Sequence, residues 1–300
     1  MAQAVVREEG IAVRRRRGAL AFAHRLLKHP SAVTGCTVLL IFSALALSAQ
    51  LLSPFDPNEA HLPDRLRAPA WLAGGGRYLL GTDQLGRDLL SRILYGTRIS
   101  LLIGFLSVSI SLMIGLILGT CAGFYKGGFD SIVSRLADLL MAFPYLIFAI
   151  GMMAVIGPGF WNLILALSFK GWVEFFRLVR GETLVQQSRE YVEAARVMGA
   201  NGTRIIARHI VPNIIHTSLV LATLRMGYFI VLEASLSYLG LGVPPRIPAW
   251  GSMVADGKEV LFNAWWVSTF PGLAIVALVL GVNLLGEGLR EILDPRLRTG

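Results

Sequence analysis

Residues 189–213 read REYVEAARVMGANGTRIIARHIVPN, a polar insert between two apolar stretches that are each long enough to cross a membrane. Tyr191, Ala194, Ala195 and Met198 fall at the i, i+3, i+4, i+7 spacing of one helical face, with Glu190, Glu193 and Arg196 off it. Gly199 supplies a residue that adopts φ > 0 and ends this helix, and Asn201 suits the cap of the next. A second short helix, Thr203 to Ile210, is expected to stop before Pro212, which cannot continue the hydrogen-bond ladder. Two short helices joined by a glycine turn make a knob that another protein can grip. The same pattern suits an amphipathic pair lying on the lipid surface, and periodicity alone leaves the two readings even.

The flanks of this insert set the fold class. Of 300 residues, 54% are hydrophobic and 16% charged, and mean hydropathy is +0.62. Soluble domains carry roughly a quarter charged residues, so the chain reads as a polytopic membrane protein. Apolar spans are expected at 33–52, 100–122, 136–157, 160–180, 213–236 and 264–286, giving an all-α fold of six transmembrane helices. Ala44-Leu45-Ala46 resembles a signal-peptide cleavage site, but the cationic lead is long and further spans follow, so the first helix is read as retained. The chain divides into a basic tail (1–32), a first helix with a Pro- and Gly-rich polar segment (33–98), the remaining spans with the 189–213 loop (99–288), and a C-terminal tail (289–300).

Net charge is +9, and the basic residues cluster beside the spans: Arg14 to Arg17, Lys126 with Arg135, Arg177 to Arg208, then Arg290, Arg296 and Arg298. An even number of spans puts both termini on one side. The positive-inside rule makes that side, and the 189–213 loop with it, cytoplasmic. No basic patch is interleaved with aromatics, so nucleic acid is not an expected partner. Cys36 and Cys121 fall in apolar spans, where cysteine is a small packing residue.

An enzyme reading fails for lack of parts. The five histidines are scattered and no Cys/His cluster has metal-ligand spacing. No G-x-S-x-G occurs, and no phosphate loop: Gly257-Lys258 runs into Glu259. ATP-driven work by this chain therefore needs a partner subunit. The unusual charges are those inside spans. Lys170 and Glu174, four residues apart, are expected to pair with each other, and Arg225 lies in the fifth span. Charges at such depth face a protein interior or a water-filled cavity. They either line a path for solute or form a neutralised pair at a subunit contact. Glu233 is expected at the membrane interface.

Glu193-Ala194-Ala195, three residues, Gly199, then nine residues before His209-Ile210-Val211-Pro212 resembles the EAA loop of ATP-binding-cassette import permeases. His209 and Val211 stand where that pattern has Ile and Leu, a variant similar to the dipeptide and oligopeptide branch. Leu80-Gly81-Thr82-Asp83-Gln84-Leu85-Gly86-Arg87-Asp88, Arg135-x-x-Asp138 with Ala142-Phe143-Pro144, Ala234 to Gly242, and Asn283 to Arg290 resemble the C-type permease of such importers, in family order. Each alone has a structural reading: close packing at Gly, a kink at Pro144, an i, i+3 pair at Arg135 and Asp138.

The resemblance implies a five-helix transport core behind the first helix, in a bacterial inner membrane. It implies a second homologous permease subunit, two ATPase subunits carrying ATP and magnesium, and an extracytoplasmic substrate-binding protein. This chain would hold no cofactor of its own. Glu193, Ala194, Ala195, Gly199 and Pro212 are then the ATPase-coupling residues, with Lys170, Glu174 and Arg225 candidates for the pathway. Peptide is the implied cargo, with nickel, glutathione or another small solute as alternatives. A self-sufficient secondary transporter using the three buried charges as a relay is the competing class, though no inverted repeat is visible. A membrane-bound assembly factor is a third.

Overall fold

The computed structural model describes residues 26–293; Arg14 to Arg17, Arg296 and Arg298 lie outside them. Helix α1 (Pro30–Leu52) starts on a proline whose fixed φ suits a first turn. Its 23 residues reach about 34 Å, enough for a bilayer core of about 30 Å. An outer lobe (53–88) with one 3₁₀ turn (Leu62–Asp64) leads to α2 (Leu89–Tyr125). Asp88 caps α2, accepting from the Ser91 amide at 2.8 Å and the Ser91 hydroxyl at 2.6 Å. Lys126 and Gly127, both at positive φ, then turn the chain into α3 (Gly127–Met141).

Between α3 and α4 (Tyr145–Ile156) the axis bends by 93° across Ala142-Phe143-Pro144. The expected span at 136–157, with its kink at Pro144, is here two helices set nearly at right angles. Pro144 has no amide hydrogen and biases Phe143 towards extended backbone, so the ladder stops. Next come α5 (Phe160–Gln187), α6 (Glu190–Val197) and the single turn α7 (Gly202–Ile205). A π-helical turn (Ile206–Ile210) carries α7 directly into α8 (Val211–Tyr238). The short helix expected to end before Pro212 is thus the start of a 37-residue run, Gly202–Tyr238. Pro212 sits in the first turn of α8, and the wider π turn before it accommodates the ring and the missing donor. A short outer helix α9 (Trp250–Lys258) and the long α10 (Trp266–Leu293) complete the chain.

Four helical runs, α1, α2, Gly202–Tyr238 and α10, are long and apolar enough to cross a membrane, or five if the bent α3–α4 pair counts as one. The remaining expected span, 160–180, corresponds to α5. It has 28 residues but carries Lys170, Glu174, Arg177, Arg180 and Glu182, too many charges for lipid on its own. The bundle solves this by placing α5 at its centre. Gly115, Gly119 and Gly123 of α2 meet Phe175, Val179 and Thr183 of α5, both sets spaced by four. A Cβ on Gly119 would lie 2.8 Å from the Val179 Cβ, and one on Gly123 2.8 Å from the Thr183 Cβ. Small residues at this spacing let two membrane helices approach closely. Along one edge α1 seats on α10, with Gly35 against the backbone of Gly281 and Leu285, and Gly288 against Ala32.

The outer lobe is tied down by the same residues whose pattern stood out in the sequence. Asp83 accepts the amides of Leu85 (2.9 Å) and Arg87 (3.0 Å) and pairs with the Arg87 guanidinium at 2.6 Å. Buried Arg92 donates to the Pro57 carbonyl at 3.2 Å. The Thr82 hydroxyl donates to the Asp64 carbonyl, and the Trp266 indole to the Thr82 carbonyl. The Tyr78 hydroxyl, hydrogen-bonded to Asp64 at 2.7 Å, holds that carboxyl below the usual carboxylate range; Arg67 adds to this against burial.

Candidate coupling loop and intramembrane charged face

Helix α6 is the loop's projecting element, and its burial splits the face expected from periodicity. Ala195 is 2% exposed and turns inward with Val192, while Tyr191, Glu193 and Ala194 face out. At its tip Val197 and Met198 are 89% and 80% exposed, so two large apolar side chains have no cover within this chain. Helix α6 ends in a Schellman arrangement. The Ala200 amide reaches the Ala195 carbonyl (3.0 Å), the Gly199 amide reaches the Arg196 carbonyl (2.9 Å), and Gly199 takes φ +79°. The Asn201 side chain then caps α7 by accepting from the Arg204 amide at 3.0 Å.

The loop is fixed to the bundle rather than hung from it. Val192, Ala195, Ile205, Ile210 and Ile214 pack with Val179 of α5 and with Leu116 and Phe124 of α2. The Gln187 amide group donates to the Gly123 and Phe124 carbonyls at 3.0 and 2.7 Å, satisfying the open end of α2. The Arg196 guanidinium stands 5.5 Å over the Phe124 ring. Asn213 donates to the His209 carbonyl (2.6 Å) and to the Tyr191 hydroxyl (3.3 Å), joining the two halves of the loop. Val192, Gln187 and Asn213 were not singled out in the sequence. Of these, Val192 was discoverable: it pairs with Ala195 at i, i+3, a second apolar spacing within the same helix.

The intramembrane charges pair differently from expectation. Glu174 of α5 is in ion contact with Arg225 of α8, both side chains about a third exposed (30% and 32%). Lys170 is 7% exposed, and its ammonium donates to the Phe143 carbonyl at the α3–α4 break. That carbonyl lies at the interrupted ladder, where a cation is a better partner than a neighbour already held by Arg225. Lys170 also lies 5.3 Å from the Tyr145 ring centroid, and Tyr145 meets Tyr228 edge-on at 5.6 Å. Arg225 lies 5.4 Å over the Tyr228 ring.

Two further expectations are corrected. Asp138 does not pair with Arg135 along α3; it contacts Arg177 of α5, while Arg180 grips Asp130 through two bonds of 2.5 and 2.7 Å. A partner on a packed neighbouring helix outcompetes a loose i, i+3 pair on one surface. Glu233 is not interfacial: it is 0% exposed, accepting from the Ser100 hydroxyl at 3.0 Å and the Ser237 hydroxyl at 2.9 Å. Helix α9 lies back over this end of α8, with Gly251 against the Ala234 backbone, and that covers it.

A bundle of membrane-length apolar helices, with one capped, half-seated helix at its end and charged side chains between its spans, defines a multi-pass membrane protein. Comparison with known proteins narrows the class. Residues 111–299 match the family model described as the binding-protein-dependent transport system inner membrane component, and residues 20–69 that of the N-terminal TM domain of oligopeptide transport permease C. The di/tripeptide transport system permease protein DppC of Pseudomonas aeruginosa is 41% identical, covering 92% of this chain and 90% of that protein. The glutathione transport system permease protein GsiD of Pectobacterium atrosepticum is 43% identical (93% and 91%). The dipeptide transport system permease protein DppC of Escherichia coli K12 is 42% identical (92% and 93%). In fold, the chain is similar to a solved inward-facing MetNI methionine ABC transporter, with TM-score 0.55 and 20% identity over 68% of this chain and 97% of that one.

The chain belongs to the family of binding-protein-dependent transport system inner membrane components. It is a multi-pass, non-catalytic permease subunit of an ATP-binding-cassette importer, whose ATPase is a separate subunit and which works with a substrate-binding partner.

Proposed function

We propose that this chain forms half of the translocation pathway of a di- or oligopeptide importer and is driven through residues 189–213. The observation that carries the reading is the projecting α6 helix, with Glu193, Ala194, Val197 and Met198 outward and Ala195 inward. Ala194, small and outward, lets a groove of the ATPase close over the helix, and Glu193 offers that groove a carboxylate. Gly199 holds the tip, Ala195 seats the helix on α2 and α5, and Pro212 with the π turn joins it to α8. A second homologous permease chain covers the face bearing Glu174 and Arg225. Two ATPase subunits bind ATP and magnesium, and an extracytoplasmic binding protein delivers cargo. Membrane lipid surrounds the bundle, and nucleic acid has no part. Both termini and the loop are cytoplasmic, in a bacterial inner membrane, as the clustering of basic residues supports. Peptide is favoured because peptide permeases dominate the similar relatives; glutathione, itself a peptide, is the second reading, carried by the 43% identical GsiD.

The mechanism is alternating access. ATP binding closes the ATPase dimer, the docked loops move with it, and α5 and α8 tilt because the loop is packed onto both. Gly199→Val tests this. Nothing lies within 4 Å of a Cβ built there, so the cost is conformational, about 1–3 kcal/mol for a side chain held at φ +79°. In proteoliposomes the expected result is an assembled complex whose ATP hydrolysis no longer drives uptake, with Gly199→Asn, which tolerates this φ, staying coupled. Full coupling in the valine variant would refute the assignment.

A further inference from the structure

Arg225, Tyr228, Val231, Ser235 and Tyr238 follow one another along α8 at spacings of three or four, so they share one face. At its lower end stands the Glu174–Arg225 pair, on the shelf made by Tyr228 and Tyr145. At its upper end is an apolar cleft of about 380 Å³ lined by Leu146, Val231, Ser235, Tyr238, Val254 and Ile275. It is a shallow groove, open along most of its length and able to take a side chain against apolar walls. Arg225 and Ser235 are ten residues apart, about 15 Å along the helix. The side chains of Glu174 and Arg225 are partly open at mid-membrane, where contact with lipid is costly, so this face borders protein and water.

We propose that the Glu174–Arg225 pair is an exchangeable clamp for a zwitterionic peptide, an inference that rests on the peptide reading above. When α5 and α8 part, the Glu174 carboxylate takes the peptide's terminal ammonium and the Arg225 guanidinium its terminal carboxylate. The apolar cleft takes a side chain. A dipeptide separates its terminal charges by about 7 Å, two residues of extended chain, so only a small parting is needed. Each of the two charges trades one opposite partner for another, so the exchange itself changes no net charge. A solute carrying only one charge leaves either Glu174 or Arg225 unpaired in a low-dielectric setting, and the site rejects it. Lys170 takes no part: it is buried and committed to the Phe143 carbonyl.

The test uses the complete importer in proteoliposomes and a dipeptide whose C-terminal residue is p-benzoylphenylalanine, photolysed after delivery by the binding protein with vanadate trapping. The expected adduct maps to 229–238 of α8. It falls about tenfold or more in Arg225→Met and in Glu174→Gln, the loss expected for one charge-assisted contact, while labelling of the binding protein is unchanged. Arg225→Lys restores part of it. The double variant Glu174→Gln/Arg225→Met removes both members of the pair together, leaving Lys170 on the Phe143 carbonyl, and so assembles normally, yet still loses the adduct. A pair that only joins two helices predicts undiminished labelling in that double variant, and this result overturns the clamp alone. Rejection of the dipeptide by the binding protein overturns the peptide reading, and the clamp falls with it.

Discussion

Lys170 illustrates how a helix break creates a need that a buried cation meets. Ala142, Phe143 and Pro144 lie between the two helices, so the Phe143 carbonyl belongs to neither ladder and takes the Lys170 ammonium instead. Lys170→Met keeps the length of the side chain and removes the donor. Losing a hydrogen bond from a charged donor costs about 1.5–3 kcal/mol, less where water can replace it at half-exposed Phe143, so thermal unfolding of the purified complex should shift to lower temperature. Uptake should slow equally for every transported peptide, with KM unchanged, because Lys170 holds a hinge and touches no cargo. A change confined to KM for some peptides would move Lys170 into the pathway. The sequence showed Lys170 and Glu174 four apart and suggested a pair. Periodicity along α5 contains nothing about Phe143 on one neighbour or Arg225 on another, and those two partners decide the outcome.

Among elements, α5 links the loop to everything else. Its Phe175, Val179 and Thr183 fill the glycine seam of α2, its Arg177 and Arg180 hold Asp138 and Asp130 of α3, and its C-terminal end runs into α6. Gly119→Leu therefore drives methyl groups into Val179 and the Phe176 carbonyl. Overpacking of this kind costs about 1–3 kcal/mol or more, and the yield of detergent-stable complex should fall sharply. Gly128→Leu, at a position with nothing within 4 Å, is the matched control and should leave the yield unchanged. Most helices were legible from composition because twenty apolar residues in a row leave few alternatives. Pro144 marked a kink, but its size of 93° was not legible, since hydropathy averages across Ala142-Phe143-Pro144 and registers only an apolar window. In the loop, Gly199 and Asn201 were legible because a helix end and a cap have strong local chemistry. The inward turn of Ala195 was not, because it depends on Val179, Ile205 and Ile210 from other elements.

For the whole molecule, the two ends of the bundle differ in kind, and that difference is what makes a direction. One end is a hydrogen-bonded lobe in which Asp64, Thr82 and Asp83 are buried, tied by buried Arg92 of α2; it can receive a partner without yielding. The other end offers an exposed helix tip packed onto α2, α5 and α8, so force applied there reaches the core. If the tip faces ATP, the lobe faces the binding protein. Accessibility in right-side-out vesicles checks this, on a background with Cys36→Ala and Cys121→Ala. Ala73→Cys, exposed in the lobe, should react with a membrane-impermeant maleimide in intact vesicles. Val197→Cys, 89% exposed at the tip, should react only after permeabilisation, and more slowly while ATPase subunits remain bound. Labelling of Val197→Cys in intact vesicles would put the loop on the wrong side of the membrane, leaving the exposed helix with no ATPase to meet.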